Sequence, residues 1–256
     1  MLNVFINLFK TSKTQMGFFL TLIFITAFLN NPSQKALLVF MLSLISTAGA
    51  DLLFVKLRGV KPFFPSGSLV TGSIIGLLTS PDLAWYVPIV ISIIAMFSKN
   101  FIRLSNRHIF NPAGFGLLVS TLIFHHNVSW WGVSWQQFFP QSGISLRETI
   151  PFLILLSPAL VSILRMKRYR ITLSFLITYA LININLNSFL DPTVLFFSIV
   201  MLPEPMTSPN RHNRQILFGF FVAIISIIAS FPISNLSLDP FIFSLLFGNL
   251  VFLRFR

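Results

Sequence analysis

Cysteine is missing from all 256 positions, and acidic residues number only six. The first absence excludes disulfides, thiolate metal sites, iron–sulfur ligation by this chain and cysteine nucleophiles. Charge is scarce too: 9% of residues are charged, against roughly 25% in an ordinary soluble domain. Walker-type phosphate loops, dinucleotide glycine fingerprints and Ser-His-Asp arrangements are also lacking. What abounds is apolar, at 55% hydrophobic residues with 31 phenylalanines. No soluble core hides that much apolar surface. Apolar stretches recur between short polar or proline-bearing breaks, so 1–256 reads as one membrane domain rather than a soluble domain on an anchor.

Ten apolar runs can be marked, at 16–29, 36–57, 66–79, 84–97, 112–125, 149–164, 171–185, 192–202, 215–230 and 240–253. The N-terminal MLNVFINLFKTSKTQ carries its lysines after the first apolar patch and has no small-residue cleavage site, which predicts an uncleaved signal-anchor helix with Met1 retained. Starting inside and crossing at each run places every lysine and arginine except Lys35 and Arg147 on the cytoplasmic side. That asymmetry obeys the positive-inside rule. The net charge of +12 is therefore a topology signal with anionic lipid as its neighbour, not a nucleic-acid surface. A multi-pass protein of a bacterial or archaeal cytoplasmic membrane, with both termini cytoplasmic, is expected.

Several runs are short. A helix of 14 residues reaches about 21 Å, against a hydrocarbon core of roughly 30 Å. Non-helical chain must complete such crossings, and it is tolerated only when buried in protein or lining a cavity. The punctuation also repeats. The third run is entered through Pro65-Ser66-Gly67-Ser68 and the eighth through Asp191-Pro192; the fifth opens with Asn111-Pro112 and the tenth with Asp239-Pro240. Asn or Asp before Pro is an N-cap followed by proline at the first helical position. Five crossings separate the halves, so the expected fold is an all-α polytopic membrane protein of about ten segments. It forms a five-plus-five inverted repeat with broken or short helices: repeat one about 16–125, an outer loop 126–148, and repeat two about 149–253.

Helix starts inside a membrane offer unpaired N–H groups and positive dipole ends, which suit an anion or an electron-rich ring edge. Ser68, Thr71 and Gly72 begin one such helix, with the glycine open to close approach by a flat ring; Asn111, Pro112 and Gly114 begin another. Asp51 in the second run and Glu204 in a proline-bounded break are the ionisable groups expected to meet low dielectric, as an ion pathway or as charge pairs. For Asp51 the alternative is a plain salt bridge to Lys56. His125 and His126 read as interfacial polar residues, not a metal site, and Trp130, Trp131 and Trp135 as the aromatic belt of the outer interface. The phenylalanines read as lipid-facing bulk.

The run SLVTGSIIGLLTSP (68–81), Lys99, IFNPAGFG (109–116), SLRET (145–149) and MLPEPMTSPNRHNRQILFG (201–219) follow one another in an order and sidedness that resemble a known family. It is the family of membrane proteins that includes RnfD of the Rnf electron-transport complex and NqrB of the sodium-pumping NADH:quinone reductase. The resemblance implies a urea-transporter-like inverted-repeat fold, bound flavin and electron passage. It adds Lys99, Thr207 and Ser208 to the flavin-site residues, with Glu204 standing where the family has aspartate.

Members of the Rnf type carry a Ser-Gly-Ala-Thr motif whose threonine is covalently joined to flavin mononucleotide, before the Gly-Glu-Thr stretch. The corresponding interval here, HHNVSWWGVSWQQFFPQSGI (125–144), has no such threonine. Covalent flavin is not expected; any FMN or riboflavin is held noncovalently. The expected function is an electron-transfer subunit of an Rnf- or Nqr-type ion-coupled oxidoreductase, working with other membrane redox subunits. The alternative is a transporter or channel for a small solute or vitamin on the same fold, with a purely structural membrane subunit as a third reading.

Overall fold

The computed structural model describes residues 12–61, 64–134, 146–183, 191–231 and 238–255. Trp135, and the part of the missing-motif interval from 135 on, lie outside the described residues. Ten α-helices form among those described, one for each apolar run. They are α1 (Ser12–Asn30), α2 (Gln34–Leu57), α3 (Ser66–Leu78), α4 (Val87–Phe101), α5 (Pro112–Phe124), α6 (Leu146–Arg165), α7 (Tyr169–Asn183), α8 (Pro192–Phe196), α9 (His212–Ser230) and α10 (Pro240–Val251). Among the described residues, α2 and α9 are the two helices long and apolar enough to cross a membrane by length and composition, while α3, α4, α5 and α10 are shorter apolar helices. α8 does not end at Phe196 but widens into a π turn over Phe197–Met201. Thr172 on α7 donates its hydroxyl to the Ser198 carbonyl at 2.8 Å, occupying an acceptor of the widened turn.

Local chemistry sets the starts. Asn111 and Asp239 each precede a proline, and each side chain accepts from a backbone N–H three residues on, Gly114 at 3.0 Å and Ile242 at 2.9 Å. Asp191 caps α8 through the Thr193 N–H at 2.7 Å. These caps satisfy donors that a helix start leaves open, and the proline lacks the N–H that would otherwise be an orphan.

The two sets of five pack alike. α2 lies on α3 and α4 as α7 lies on the wide turn after α8 and on α9; α4 meets α5 as α9 meets α10; α1 meets α3 as α6 meets that wide turn. The sets join through α1 against α6 and α5 against α10, each helix touching its own counterpart. Close approach has matching devices. A Cβ on Gly72 of α3 would lie 2.3 Å from Thr47 Oγ1 on α2, and one on Gly219 of α9 would lie 2.4 Å from the Ile171 carbonyl on α7. Small residues at interfaces are how helices associate where lipid is as apolar as leucine. Outward faces carry Leu29, Ile45, Ile154, Leu164 and Leu181, each at least 60% exposed, as a lipid-facing surface requires.

The structure corrects two readings of aromatic residues. Trp130 and Trp131 are each only 7% exposed and hydrogen-bond to protein, so they are core groups rather than an interfacial belt. Phe175, Phe196, Phe197 and Phe218 are fully buried side chains, not lipid-facing bulk. In both cases a hydropathy pattern cannot distinguish an apolar interior from lipid. His125 and His126 lie past the end of α5: His125 takes the left-handed position after the helix, and His126 Nε2 sits 2.9 Å from Ser120 Oγ.

Candidate functional site

α3 and α5 both begin at one end of the bundle, and α4, α6 and the wide turn after α8 finish there. Since α3 starts where its counterpart chain α8 finishes, the second repeat runs opposite to the first. Between these ends lies a cavity of about 410 Å³, within the size range of small-molecule and cofactor sites. Its walls are mostly apolar, from Met16, Val70, Ile74, Ile163, Ile199 and Val200; its polar groups are concentrated in Thr71, Lys99, His108, Asn111 and Glu204.

Glu204 follows the wide turn in a proline-bounded stretch, and both of its oxygens are held. Oε1 lies 2.9 Å from His108 Nε2, and Oε2 accepts from Asn111 Nδ2 at 2.9 Å and from Thr207 Oγ1 at 3.3 Å. Asn111 is fixed in turn: its backbone N–H donates to Asn249 Oδ1 on α10 at 2.9 Å. A carboxylate from repeat two is therefore clamped by the helix start of repeat one. His108 sits there because α4 is followed by a tight antiparallel hairpin, Arg103–Leu104 against Arg107–His108, which turns through Ser105 and Asn106 at positive φ.

At the end of α4, Lys99 Nζ donates to Asp51 Oδ2 at 2.8 Å, and Asn100 Nδ2 donates to Asp51 Oδ1 at 2.9 Å. Asp51 is 2% exposed. In place of the alternative salt bridge to Lys56, Asp51 pairs with Lys99. Lys56, five residues on, projects from another side of the same helix, while α4 brings Lys99 directly across from Asp51.

The Glu204–Asn210 stretch is held from behind by Arg168, in the turn between α6 and α7. Its guanidinium donates to the Ser208 carbonyl at 3.1 Å, to Ser208 Oγ at 3.0 Å, to the Pro209 carbonyl and to Asn210 Oδ1. Burial, and then the charge of nearby Arg107, lower the Arg168 pKa from its ordinary value, but a guanidinium remains the charged donor in proteins. Ser208 Oγ also donates to the Glu204 carbonyl at 2.7 Å, so the arginine's grip reaches the acid through one side chain.

Of the residues singled out in the sequence, Thr71, Lys99, Asn111, Pro112 and Glu204 line the cavity together. Ser68, Gly72, Gly114, Thr207 and Ser208 stand behind that lining. Ser68 bonds back to the Pro65 carbonyl at 2.8 Å. Gly72 faces α2, so its missing side chain serves helix packing rather than the close approach of a ring. Asp51 reaches the cavity only through Lys99. Sequence reasoning misses His108 and Arg168. A signal for His108 exists in its place three residues before the Asn-Pro helix start, whereas Arg168 is indistinguishable in sequence from any other topology-setting cation.

An all-helical membrane fold, repeated and inverted, with a cavity where broken helices meet, defines the class. The chain belongs to the NQR2, RnfD, RnfE family, whose pattern matches residues 4–253. It is thus an Rnf/Nqr-type membrane subunit, from a family whose multi-subunit complexes are flavin-linked and carry membrane redox partners. No curated protein matches it.

Proposed function

We propose that this chain is a membrane electron-transfer subunit of an Rnf- or Nqr-type ion-coupled oxidoreductase, and that its cavity holds FMN or riboflavin noncovalently. The observation that carries the reading is the composition of the cavity wall. Apolar faces suited to a flat ring meet one polar set made of Lys99, His108, Asn111 and Glu204. A flavin supplies one- and two-electron chemistry when bound. Lys99 and His108 are placed to donate hydrogen bonds toward a group whose charge grows on reduction, each steadied by its own carboxylate, Asp51 or Glu204. Thr71 and Asn111 add polar contacts at the two helix starts. The Asp51 and Glu204 carboxylates are the candidate groups for coupling ion movement to electron flow.

The positive-inside distribution supports a cytoplasmic location for the cavity end, since Arg58, Arg103, Arg107, Arg165 and Arg168 all lie in or beside its loops. Both termini then face the cytoplasm, anionic lipid surrounds the basic loops, and the single membrane domain 1–256 docks against partner subunits that carry the remaining redox centres.

The test is the visible spectrum of the purified protein. A stoichiometric flavin chromophore, released intact by denaturation and separated as FMN or riboflavin, is expected. Thr71→Trp should fill the cavity and lower flavin content at least tenfold while the protein still inserts. A colourless, fully helical protein that takes up neither added riboflavin nor FMN would remove the proposal.

A further inference from the structure

At the other end of the bundle, where inversion of the repeat would place a counterpart of the cavity, Trp130 and Trp131 are buried at 7% exposure each. Ile74 on α3 lines the cavity; one turn further on, a Cβ at Gly132 would lie 2.4 Å from Leu77 Cδ2. Ile199 on the wide turn lines it as well; one turn earlier, Phe196 meets the Trp130 ring edge-on at 6.4 Å between centroids. On both broken helices, therefore, the residues just past the cavity floor rest on the same short segment.

That segment is built in. Ser129 N–H donates to the Leu78 carbonyl at 2.9 Å, Gly132 N–H to the Leu77 carbonyl at 3.0 Å, and Trp131 Nε1 to the Gly76 carbonyl at 3.0 Å. These are carbonyls that the end of α3 leaves without helical partners. Trp130 Nε1 donates to Asp239 Oδ2 at 2.6 Å, reaching the cap of α10 in the other repeat. Trp130 holds φ at 54°, a conformation bulky residues rarely adopt unless their surroundings enforce it. Trp131 also meets Phe24 of α1 edge-on at 6.1 Å.

We propose that Val128–Val133 is a plug that seals the cavity from the far face, so that its ligand enters and leaves through one end only. The two tryptophans occupy the space, and the α3 carbonyls together with Asp239 lock them to both repeats. This inference holds with or without flavin in the cavity.

The absence of cysteine makes the test direct. Val70→Cys places one thiol in the cavity wall, and a charged, membrane-impermeant maleimide is added to right-side-out or to inside-out vesicles. Labelling from one face only is expected. Adding Trp130→Ala with Trp131→Ala should raise labelling from the second face at least tenfold, with helix content unchanged by circular dichroism. Gly132→Ala, which forces a contact with Leu77, is the milder variant should the double change not fold. Comparable labelling of Val70→Cys from both faces with the plug intact, labelling from neither face, or no gain in a folded plug variant would each overturn the proposal.

Discussion

His108 Nε2 stands 2.9 Å from Glu204 Oε1 across 96 positions of sequence, joining the hairpin of one repeat to the break after α8 in the other. Glu204 is the only carboxylate among the described residues bonded at once to a histidine, an asparagine and a threonine. Glu204→Gln keeps the volume but removes the charge that holds His108 and one acceptor oxygen. A hydrogen bond to a charged group contributes about 1.5–3 kcal/mol. The expected outcome is a melting temperature lower by several degrees in detergent and flavin affinity weakened about tenfold, read by fluorescence titration of the apoprotein. Unchanged values in both measurements would show that the clamp does nothing.

Arg168 gives a separable prediction, because it touches the loop and not the cavity. Arg168→Met leaves the Ser208 and Pro209 carbonyls without their donor, at about 1–3 kcal/mol for each buried group left unsatisfied. Proteolysis between Glu204 and Asn210 should accelerate at least tenfold relative to cleavage elsewhere. Arg168→Lys should recover only part of the protection, since an ammonium cannot match the planar fork of a guanidinium.

At Gly72 the prediction turns on packing. A methyl group there would press into Thr47 Oγ1 and the Ser43 carbonyl, and overpacking costs typically about 1–3 kcal/mol. Gly72→Ala should lower the thermal transition while the surviving folded fraction binds flavin with normal affinity. Loss of affinity in a fully stable variant would instead place this glycine at the ligand.

These residues show why some of the fold is legible in the sequence and some is not. Asn111-Pro112, Asp191-Pro192 and Asp239-Pro240 announce helix starts because capping is local chemistry, settled within three residues. All three caps form, and the ten apolar runs become ten helices. Lys99 with Asp51 and His108 with Glu204 are pairings across 48 and 96 positions, and no local window of sequence displays them. Arg168 reads as one of many cytoplasmic cations because its partners are largely backbone carbonyls, which carry no sequence signature. Trp130 and Trp131 resemble a lipid-facing belt for a related reason: lipid and protein interior favour the same apolar side chains.

Asp51 and Lys99 supply the most demanding test of the site's electrostatics. The aspartate is 2% exposed and the lysine side chain 18%, so removing one partner strands a charge in low dielectric. Breaking a buried pair costs about 3–5 kcal/mol, and partial exposure of Lys99 puts the expected loss near the lower figure. Asp51→Asn preserves the shape and the contact with Asn100 but removes the carboxylate charge facing Lys99 at the cavity wall; Lys99→Met removes the ammonium facing the buried Asp51 carboxylate on α2. The double variant strands neither charge, so it should lose less stability than the two single losses added together, giving a coupling of more than about 1 kcal/mol in a double-mutant cycle. If Asp51 serves ion movement as well as this pairing, ion-coupled turnover in the assembled complex should fall further in Asp51→Asn than in Lys99→Met at matched stability. Equal loss in both would assign Asp51 to holding Lys99 and nothing more.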